Sequence, residues 1–263
     1  MRAFYASLKV RLPAVRVVLE LFAGSCRFSR AAALAGCYVC AIDWSFGPGY
    51  DLLCPKLQAC VLGWIQAGWI RYVLAAWPCR TLSRARNRPG GPPALRSAEH
   101  PLGLPHLRPA EAVAVSEGNA LLAFVGRLFH SCRAAQTPVI GENPWTSWAW
   151  AIPTLAPILR WPGVHLTRSD FCQWGARWRK STGFITMFCQ PRFISKTCCG
   201  RLICTRSGKP HFRLEGKNDQ GIFWTHIAEP YPRKLATELV RMAEFAHLSV
   251  AESNLDKLFC KLC

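Results

Sequence analysis

Hydrophobic residues recur along the chain with two alternating spacings, which predict strands and helices in turn. Short apolar runs of the length of buried strands occupy residues 15–21, 37–42, 71–76, 137–141, 164–171 and 183–188. Apolar residues at helical spacing predict helices over residues 27–35, 57–70, 111–132 and 235–247. This alternation is typical of an α/β domain with a largely parallel sheet.

The remaining segments predict how the chain is organised around that domain. Residues 88–109 are rich in proline and glycine and predict a long loop, which in a compact domain is usually functional. The expected parts are a basic leader at 1–14, an α/β domain at 15–247 with an insert at about 189–228, and a C-terminal tail at 248–263. With no membrane-length apolar run and no signal peptide, we expect no membrane partner and an intracellular protein, nuclear in a eukaryote.

The conspicuous residues follow predicted strands. Ligands of parallel sheets bind beyond the carboxyl ends of the strands, where this chain has a glycine turn, an acid, a Pro-Cys pair and a Glu-Asn-Pro segment. Gly24 permits close approach of the backbone to a ligand, and Asp43 is positioned to accept hydrogen bonds from ribose hydroxyls. The pattern predicts a nucleoside-binding site at this edge, with an ordinary turn and a surface acid as the alternative.

Cys79 and Glu142 are the candidate reactive groups. Cys79 lies among Arg80, Arg84 and Arg86, an electropositive setting that predicts a lowered thiol pKa and a nucleophilic thiolate. Glu142 is expected to act as an acid or hydrogen-bond donor if it is desolvated. The alternative is a loop carboxylate paired with an arginine.

The excess of basic residues indicates which class of molecule the protein binds. The chain has 33 Lys and Arg against 15 Asp and Glu, a formal charge of +18, and residues 52–98 and 171–214 contain no acid. The predominance of arginine favours bidentate contacts with phosphates or base edges, so we expect a nucleic acid, DNA with RNA left open, and no protein partner is indicated. The expected nucleic-acid contacts are Arg80, Arg84, Arg86 and Lys180.

Fourteen cysteines are scattered through the predicted core, which favours a reducing compartment. Four of them lie with a histidine in the basic insert, where tetrahedral S/N ligation of a structural zinc is one interpretation. The candidate zinc ligands are Cys189, Cys198, Cys204 and His211, with Cys199 beside them. Because the spacing is not C-x₂-C, partly buried free thiols are the alternative.

Four segments, in order, resemble the DNA cytosine-5 methyltransferases, especially the short phage and mobile-element variety with Glu-Asn-Pro. They are LFAGSCRFSRAAALAGCYVCAID, WPCRTLSRAR, VIGENPWTSW and DFCQWGARWRKSTGFIT. The resemblance runs from about residue 17 to about residue 246. It implies a Rossmann-like, S-adenosylmethionine-dependent methyltransferase fold with a mostly parallel twisted sheet and a small basic, Cys-rich insert.

The resemblance also implies roles for individual residues. Cys79 would attack C6 of a flipped cytosine and make C5 nucleophilic toward the methyl group. Glu142 would hold the N3 and amine edge of the base, and Arg177 or Arg179 would contact the base or the adjacent phosphate. The implied residues for the cofactor S-adenosylmethionine are Phe22, Gly24, Ser25, Asp43 at the ribose, Asp51 near the adenine, and Pro78.

Two residues depart from the family pattern. Cys26 occupies the position of the second glycine of the family's FxGxG motif, and Trp77 replaces a small residue or proline before Pro78. A catalytically degenerate copy of the fold, derived from a mobile element and only binding nucleic acid, is the alternative function. A cofactor pocket blocked by Cys26 would favour that alternative. A zinc-stabilised nucleic-acid adaptor is a third.

Overall fold

Six strands form one mixed, mostly parallel sheet in the computed structural model, which describes residues 16–87 and 91–259, with side chains up to His247. The strands are β1 (Val17–Leu21), β2 (Val39–Ile42), β3 (Ile70–Ala75), β4 (Val139–Pro144), β5 (Val164–Asp170) and β6 (Ser181–Met187). Their spatial order is β2-β1-β3-β4-β6-β5; the first four are parallel, and β6 runs antiparallel to β4 and β5. The predicted α/β class is confirmed, and the sheet is compatible with a Rossmann-like fold.

The helices follow the predicted positions with shifted ends. They are α1 (Arg27–Leu34), α2 (Pro55–Gln66), α3 (Pro109–Ala134), α4 (Trp224–Ile227) and α5 (Arg233–Phe259). Helix α5 continues into the segment expected to be a C-terminal tail, and the short α4 was not predicted. The basic leader at 1–14 lies outside the described residues.

Side chains alternate across the sheet, so each face has its own core. In β1, Val18 points to the face covered by α1 and α5, whereas Leu19 and Leu21 point to the face covered by α2 and α3. In β3, Tyr72 and Val73 divide in the same way. Both faces of the central strands are therefore buried, which fixes the register of their pairing.

The proline-rich loop after β3 is held by one buried arginine. Arg96 is 1% exposed and donates hydrogen bonds to the Thr81 carbonyl (3.0 Å), the Pro101 carbonyl (2.7 Å) and Asn119 Oδ1 (2.8 Å). Burial lowers the pKa of Arg96 to about 10. In the described part of this loop, residues 91–108, there is no helix or strand, as predicted.

Helix α3 is long and apolar enough, by length and composition, to cross a membrane, although no such run was expected from the sequence. Its inner face packs in the core, where Leu122, Val125 and Phe129 are fully buried. The central helix of a globular domain has the same properties. One helix of this kind does not make the protein clearly transmembrane.

Candidate active site

The turn after β1 is built from left-handed residues and fixed by Asp43. Phe22, Gly24 and Cys26 have φ values of 59°, 46° and 53°, a region that glycine tolerates and side chains rarely adopt. The Gly24 amide donates to Asp43 Oδ2 (2.9 Å), and Ser45 donates to Asp43 Oδ1 through its amide (3.0 Å) and its hydroxyl (2.6 Å). Asp43, predicted to bind ribose, thus joins the ends of β1 and β2.

A cavity of about 360 Å³ opens beside this turn, at the carboxyl end of β1. The next two strands in sequence, β2 and β3, lie on opposite sides of β1 in the sheet, and such a switch point is where ligands of α/β sheets bind. Of the predicted cofactor residues, Phe22, Asp51 and Pro78 line it, whereas Gly24, Ser25 and Asp43 belong to the turn and are outside its wall. Cys26 is also outside the wall, at the N-terminus of α1. The cavity is therefore not blocked by the Cys26 side chain.

Eight of the twelve residues that line the cavity were not predicted from the sequence, and two of them, Trp44 and Glu117, add an aromatic ring and a carboxylate to its wall. Trp44, which follows Asp43 at the end of β2, is 72% exposed and lines the cavity. Glu117 of α3 adds a second carboxylate to that of Asp51. The available signal for Trp44 was its place immediately after the acid that ends a predicted strand. Helix α3 gives no such signal, because Glu117 approaches the cavity only through tertiary packing.

Cys79 has a less acidic thiol than its arginine-rich sequence predicted. Surrounding protein atoms desolvate the thiol and raise its pKa to about 11, and the Glu142 carboxylate adds to this shift. Lys180 opposes it. The prediction of a lowered pKa was wrong because it counted charged neighbours in sequence. Burial has the largest effect on the thiol, and the charges that act on it most strongly belong to Glu142 of β4 and to Lys180, just before β6.

Glu142 lies at the same sheet edge and forms one electrostatic group with Cys79 and Lys180. Burial raises the pKa of Glu142, while Lys180 and the adjacent Tyr231 hydroxyl offset part of the shift. The Lys180 ammonium donates to the carbonyls of Ala228 (3.1 Å) and Glu229 (3.3 Å). Lys180, expected to contact nucleic acid, thus supplies a positive charge that acts on both the thiol and the carboxyl.

Asn143 ties the Cys79 segment to β4. It is fully buried, and its side-chain amide donates to the Trp77 carbonyl (2.8 Å). The Trp77 ring turns into the core, where a Cβ on Gly141 would lie 2.8 Å from it. The tryptophan that departs from the family pattern therefore fills space left by Gly141, and it is outside the cavity wall.

Four of the five arginines assigned to the site are engaged elsewhere. Arg80 lines the cavity, but Arg84 stacks on Trp148 with its guanidinium carbon 3.8 Å from the ring centre. The others make these contacts: Arg86 with the Pro93 carbonyl (2.9 Å), Arg177 over the Phe212 ring (5.0 Å), and Arg179 with Asp170 (3.4 Å) and the Gly200 carbonyl (3.2 Å). Both candidates from the late motif thus contact residues of the insert or its attachment.

Glu20, which the sequence analysis did not single out, is a buried carboxyl behind the β1 turn. It is 2% exposed, and its Oε2 accepts the Ser29 amide (2.8 Å) in the first turn of α1. Burial raises its pKa to about 7, although the Ser29 bonds offset part of the effect. A lone acid within a β-branched strand was the available signal for this residue.

The cysteine cluster forms with one change of membership. Cys198, Cys204 and His211 come together as predicted, and the fourth member is Cys172. Cys189, the predicted member, is 2% exposed and packs in the hydrophobic core beside α5. It directly follows the turn that ends β6, so the strand determines its position, and the prediction for this residue was wrong.

Comparison of the sequence with protein-family profiles and with curated proteins gives no match. The functional assignment therefore depends on the chemistry of the residues at the sheet edge.

Proposed function

We propose that the protein is an S-adenosylmethionine-dependent DNA cytosine-5 methyltransferase with Cys79 as its nucleophile. The observation that carries this proposal is a cavity lined by Pro78 adjoining a thiol, a raised-pKa carboxyl and a lysine at one sheet edge. Perturbed titratable groups beside a cavity are typical of catalytic sites. These residues come from three of the four segments that resemble the family, in the order of the family's motifs.

The cavity fits the chemistry of the cofactor. The exposed Trp44 face suits stacking on an adenine ring, and the Asp51 and Glu117 carboxylates suit hydroxyl, amine and sulfonium groups. Its volume of about 360 Å³ is at the lower end of the range for small-molecule sites. When bound, S-adenosylmethionine supplies an electrophilic methyl group. In this proposal Asp43 shapes the turn rather than binding the ribose.

Cys79 and Glu142 together account for the activation of the cytosine ring. Deprotonated Cys79 Sγ bonds to C6 of cytosine while Glu142 gives its proton to N3, so the C5–C6 electron pair becomes available at C5. Burial raises the pKa of Glu142, which favours the protonated carboxyl that this step requires. Once C5 is methylated it loses its hydrogen to a solvent base, the Sγ–C6 bond breaks, and N3 returns its proton.

The alternative is a nucleic-acid-binding module without catalysis. The raised Cys79 pKa is the observation that favours it, because at neutral pH nearly all of the thiol is protonated. The positive charge of +18 suits a polyanion in either case. The two functions differ in whether cofactor binds and whether a methyl group moves.

Calorimetry with S-adenosylmethionine tests the cofactor site. We expect micromolar binding to the full chain, weakened about tenfold or more by Trp44→Ala and by Asp51→Asn, since each removes one recognition element. Tyr38→Ala is the matched control, because Tyr38 is a similarly exposed aromatic residue (67%) outside the cavity wall. The absence of binding at millimolar cofactor would rule out the methyltransferase function.

Transfer of labelled methyl groups to a cytosine-containing duplex tests the chemistry. Cys79→Ser is expected to abolish transfer while leaving cofactor binding intact; Cys54→Ser, a change at another exposed cysteine, is expected to leave both unchanged. Cofactor binding with no transfer to DNA, but transfer to an RNA of the same sequence, would redirect the proposal to RNA. Duplex binding without either activity would support the non-catalytic module.

A further inference from the structure

Four potential metal ligands converge where the insert (residues 189–228) meets the turn after β5. The Sγ atoms of Cys172, Cys198 and Cys204 and a ring nitrogen of His211 all lie within 4.8 Å of one another. The distance from Cys198 Sγ to His211 Nε2 is 3.6 Å. Ligands at about 2.3 Å (S) and 2.0 Å (N) from a tetrahedral zinc are about 3.5–3.8 Å apart, so only small adjustments are required.

We infer that these four residues form a structural zinc site. All three cysteines are free thiols and buried, and together they make a separate small cluster away from both main cores. Thiolate and imidazole ligands select zinc over magnesium, calcium or manganese, and four protein ligands leave no open position for catalysis. The ligand set is Cys₃His.

Neighbouring donors point at the sulfur atoms. The Thr205 amide and hydroxyl lie 3.5 and 3.4 Å from Cys198 Sγ. The Gln173 amide lies 3.7 Å from Cys172 Sγ and 4.0 Å from Cys204 Sγ. Thiolates bound to a metal accept such bonds, whereas a neutral thiol attracts them weakly, so these contacts fit an outer shell around a charged centre.

The backbone of the insert is shaped to bring the ligands together. An antiparallel bridge between Ile203 and Pro210 places Cys204 and His211 on adjacent chain segments. Gly200 makes the turn between the first two ligands of the insert, and a Cβ there would overlap the Ile203 carbonyl. Only glycine fits this turn, which is the constraint expected of a short metal-binding loop.

The site connects two parts of the chain. Cys172 belongs to the short helical turn after β5, whereas the other three ligands belong to the insert. Asp170, at the end of β5, also accepts the Cys198 amide (2.7 Å). Zinc would therefore cross-link the insert to the sheet, and this role is independent of methyl transfer.

Metal analysis of the purified full chain tests the site. We expect one equivalent of zinc per chain, lost in Cys172→Ser and retained in Cys189→Ser, a matched change at another buried cysteine. Cobalt substitution should give thiolate-to-cobalt charge-transfer bands for three sulfur ligands, and His211→Cys should keep the metal and raise the sulfur count to four. The cobalt spectra also decide the question if Cys172→Ser does not fold.

Several outcomes would overturn the inference. A full chain purified without chelator that contains no zinc and takes up none would do so, as would zinc that persists in Cys172→Ser or disappears in Cys189→Ser. A brown protein that contains iron and sulfide would indicate an iron–sulfur cluster at this site instead of zinc. An unchanged cobalt spectrum in His211→Cys would remove the histidine from the ligand set, and disulfide-linked Cys172, Cys198 or Cys204 in the native chain would exclude the site.

Discussion

The sheet edge and the insert are held in place by different forces. Behind the sheet edge, the side chains of Val73, Leu74 and Ile140 are fully buried in the core. Within the insert, the fully buried apolar side chains are scarce in the described residues: Ile194 is one, and the cysteines make up most of the rest. Apolar burial therefore accounts for the first region, whereas the second depends on a few specific polar and sulfur contacts.

The difference predicts how each region responds to damage. A loss of packing at the sheet edge spreads through a continuous core, so it lowers the stability of the whole domain. A loss of one tether of the insert releases a segment that has little else to hold it, so local opening precedes global unfolding. Substitutions in each region test this contrast.

The largest effect is expected at the tether between β5 and the insert. Asp170 is fully buried and accepts hydrogen bonds from Arg168 (2.9 Å) and Arg179 (3.4 Å). Asp170→Ala leaves both guanidinium groups without their carboxylate and should cost about 4 kcal/mol. Denaturant unfolding gives the total, and limited trypsin digestion should show earlier cleavage within the insert.

Glu238→Ala is the control for that experiment. It breaks a 3.5 Å ion pair with Arg241, whose side chain is 69% exposed, and should cost less than about 1 kcal/mol. Equal losses for the two variants, or insert cleavage that Asp170→Ala does not accelerate, would contradict the contrast between the regions.

Glu20 should make the stability of the sheet edge depend on pH. Its pKa of about 7 in the folded chain lies above the ordinary 4.5, so its contribution is complete below pH 4.5 and is lost as pH rises through 7. Glu20→Gln keeps an acceptor for Ser29 and cannot ionise, so relative to wild type it should gain up to about 3 kcal/mol from pH 4.5 to pH 8. A stability difference that stays constant over this range would refute the buried, raised-pKa carboxyl.

Gly141 should be sensitive to a single methyl group. A Cβ there would lie 2.6 Å from Ile185 Cγ2 and 2.8 Å from the Trp77 ring, so Gly141→Ala should cost about 2 kcal/mol by overpacking. The cost should be smaller in a Trp77→Leu background, which makes room. Thermal unfolding of the two single variants and the double variant measures the coupling, and strict additivity would show that the two side chains do not share the space.

The smallest effect concerns the reactivity of Cys79. With a pKa of about 11, it should have about two orders of magnitude less thiolate at neutral pH than an ordinary cysteine, and alkylation should be correspondingly slow. At pH 9, Glu142→Gln should speed alkylation several-fold, and Lys180→Met should slow it. Peptide mass spectrometry distinguishes alkylation of Cys79 from alkylation of the other cysteines. Slower alkylation in Glu142→Gln or faster alkylation in Lys180→Met would contradict the assigned effects of these two charges on the thiol pKa.

The ends of β1, β2 and β3 were predictable, because short apolar runs followed by Gly24, Asp43 and Cys79 mark the same edge of a parallel sheet. The end of β4 was not, because the strand predicted to end at residue 141 continues through Glu142 to Pro144, paired with β6.

The membership of the cysteine cluster was not predictable either, because Cys172 lies in a separate segment and meets the other three residues only where the insert folds back onto the end of β5 through the Cys198 amide and Asp170. The spacing of residues along the sequence does not reveal a contact between segments that are far apart in the chain.

The acidity of Cys79 was misjudged for a related reason. The thiol responds to Glu142 and Lys180, which the strand pairing brings near, more than to the arginines that follow it in sequence. Electrostatic predictions from sequence neighbours fail wherever the folded chain brings other charges closer or removes solvent.

The anchoring of Lys180 has a consequence for thermodynamic linkage. Its ammonium is held by the carbonyls of Ala228 and Glu229, at the end of the insert, while its charge lowers the pKa of Cys79. A ligand that displaced residues 228–229 and moved Lys180 with them would therefore change the proton affinity of the thiol. By reciprocity, release of the Cys79 proton would change the affinity for that ligand by the same factor, so binding at the insert and ionisation at the sheet edge would form one coupled equilibrium.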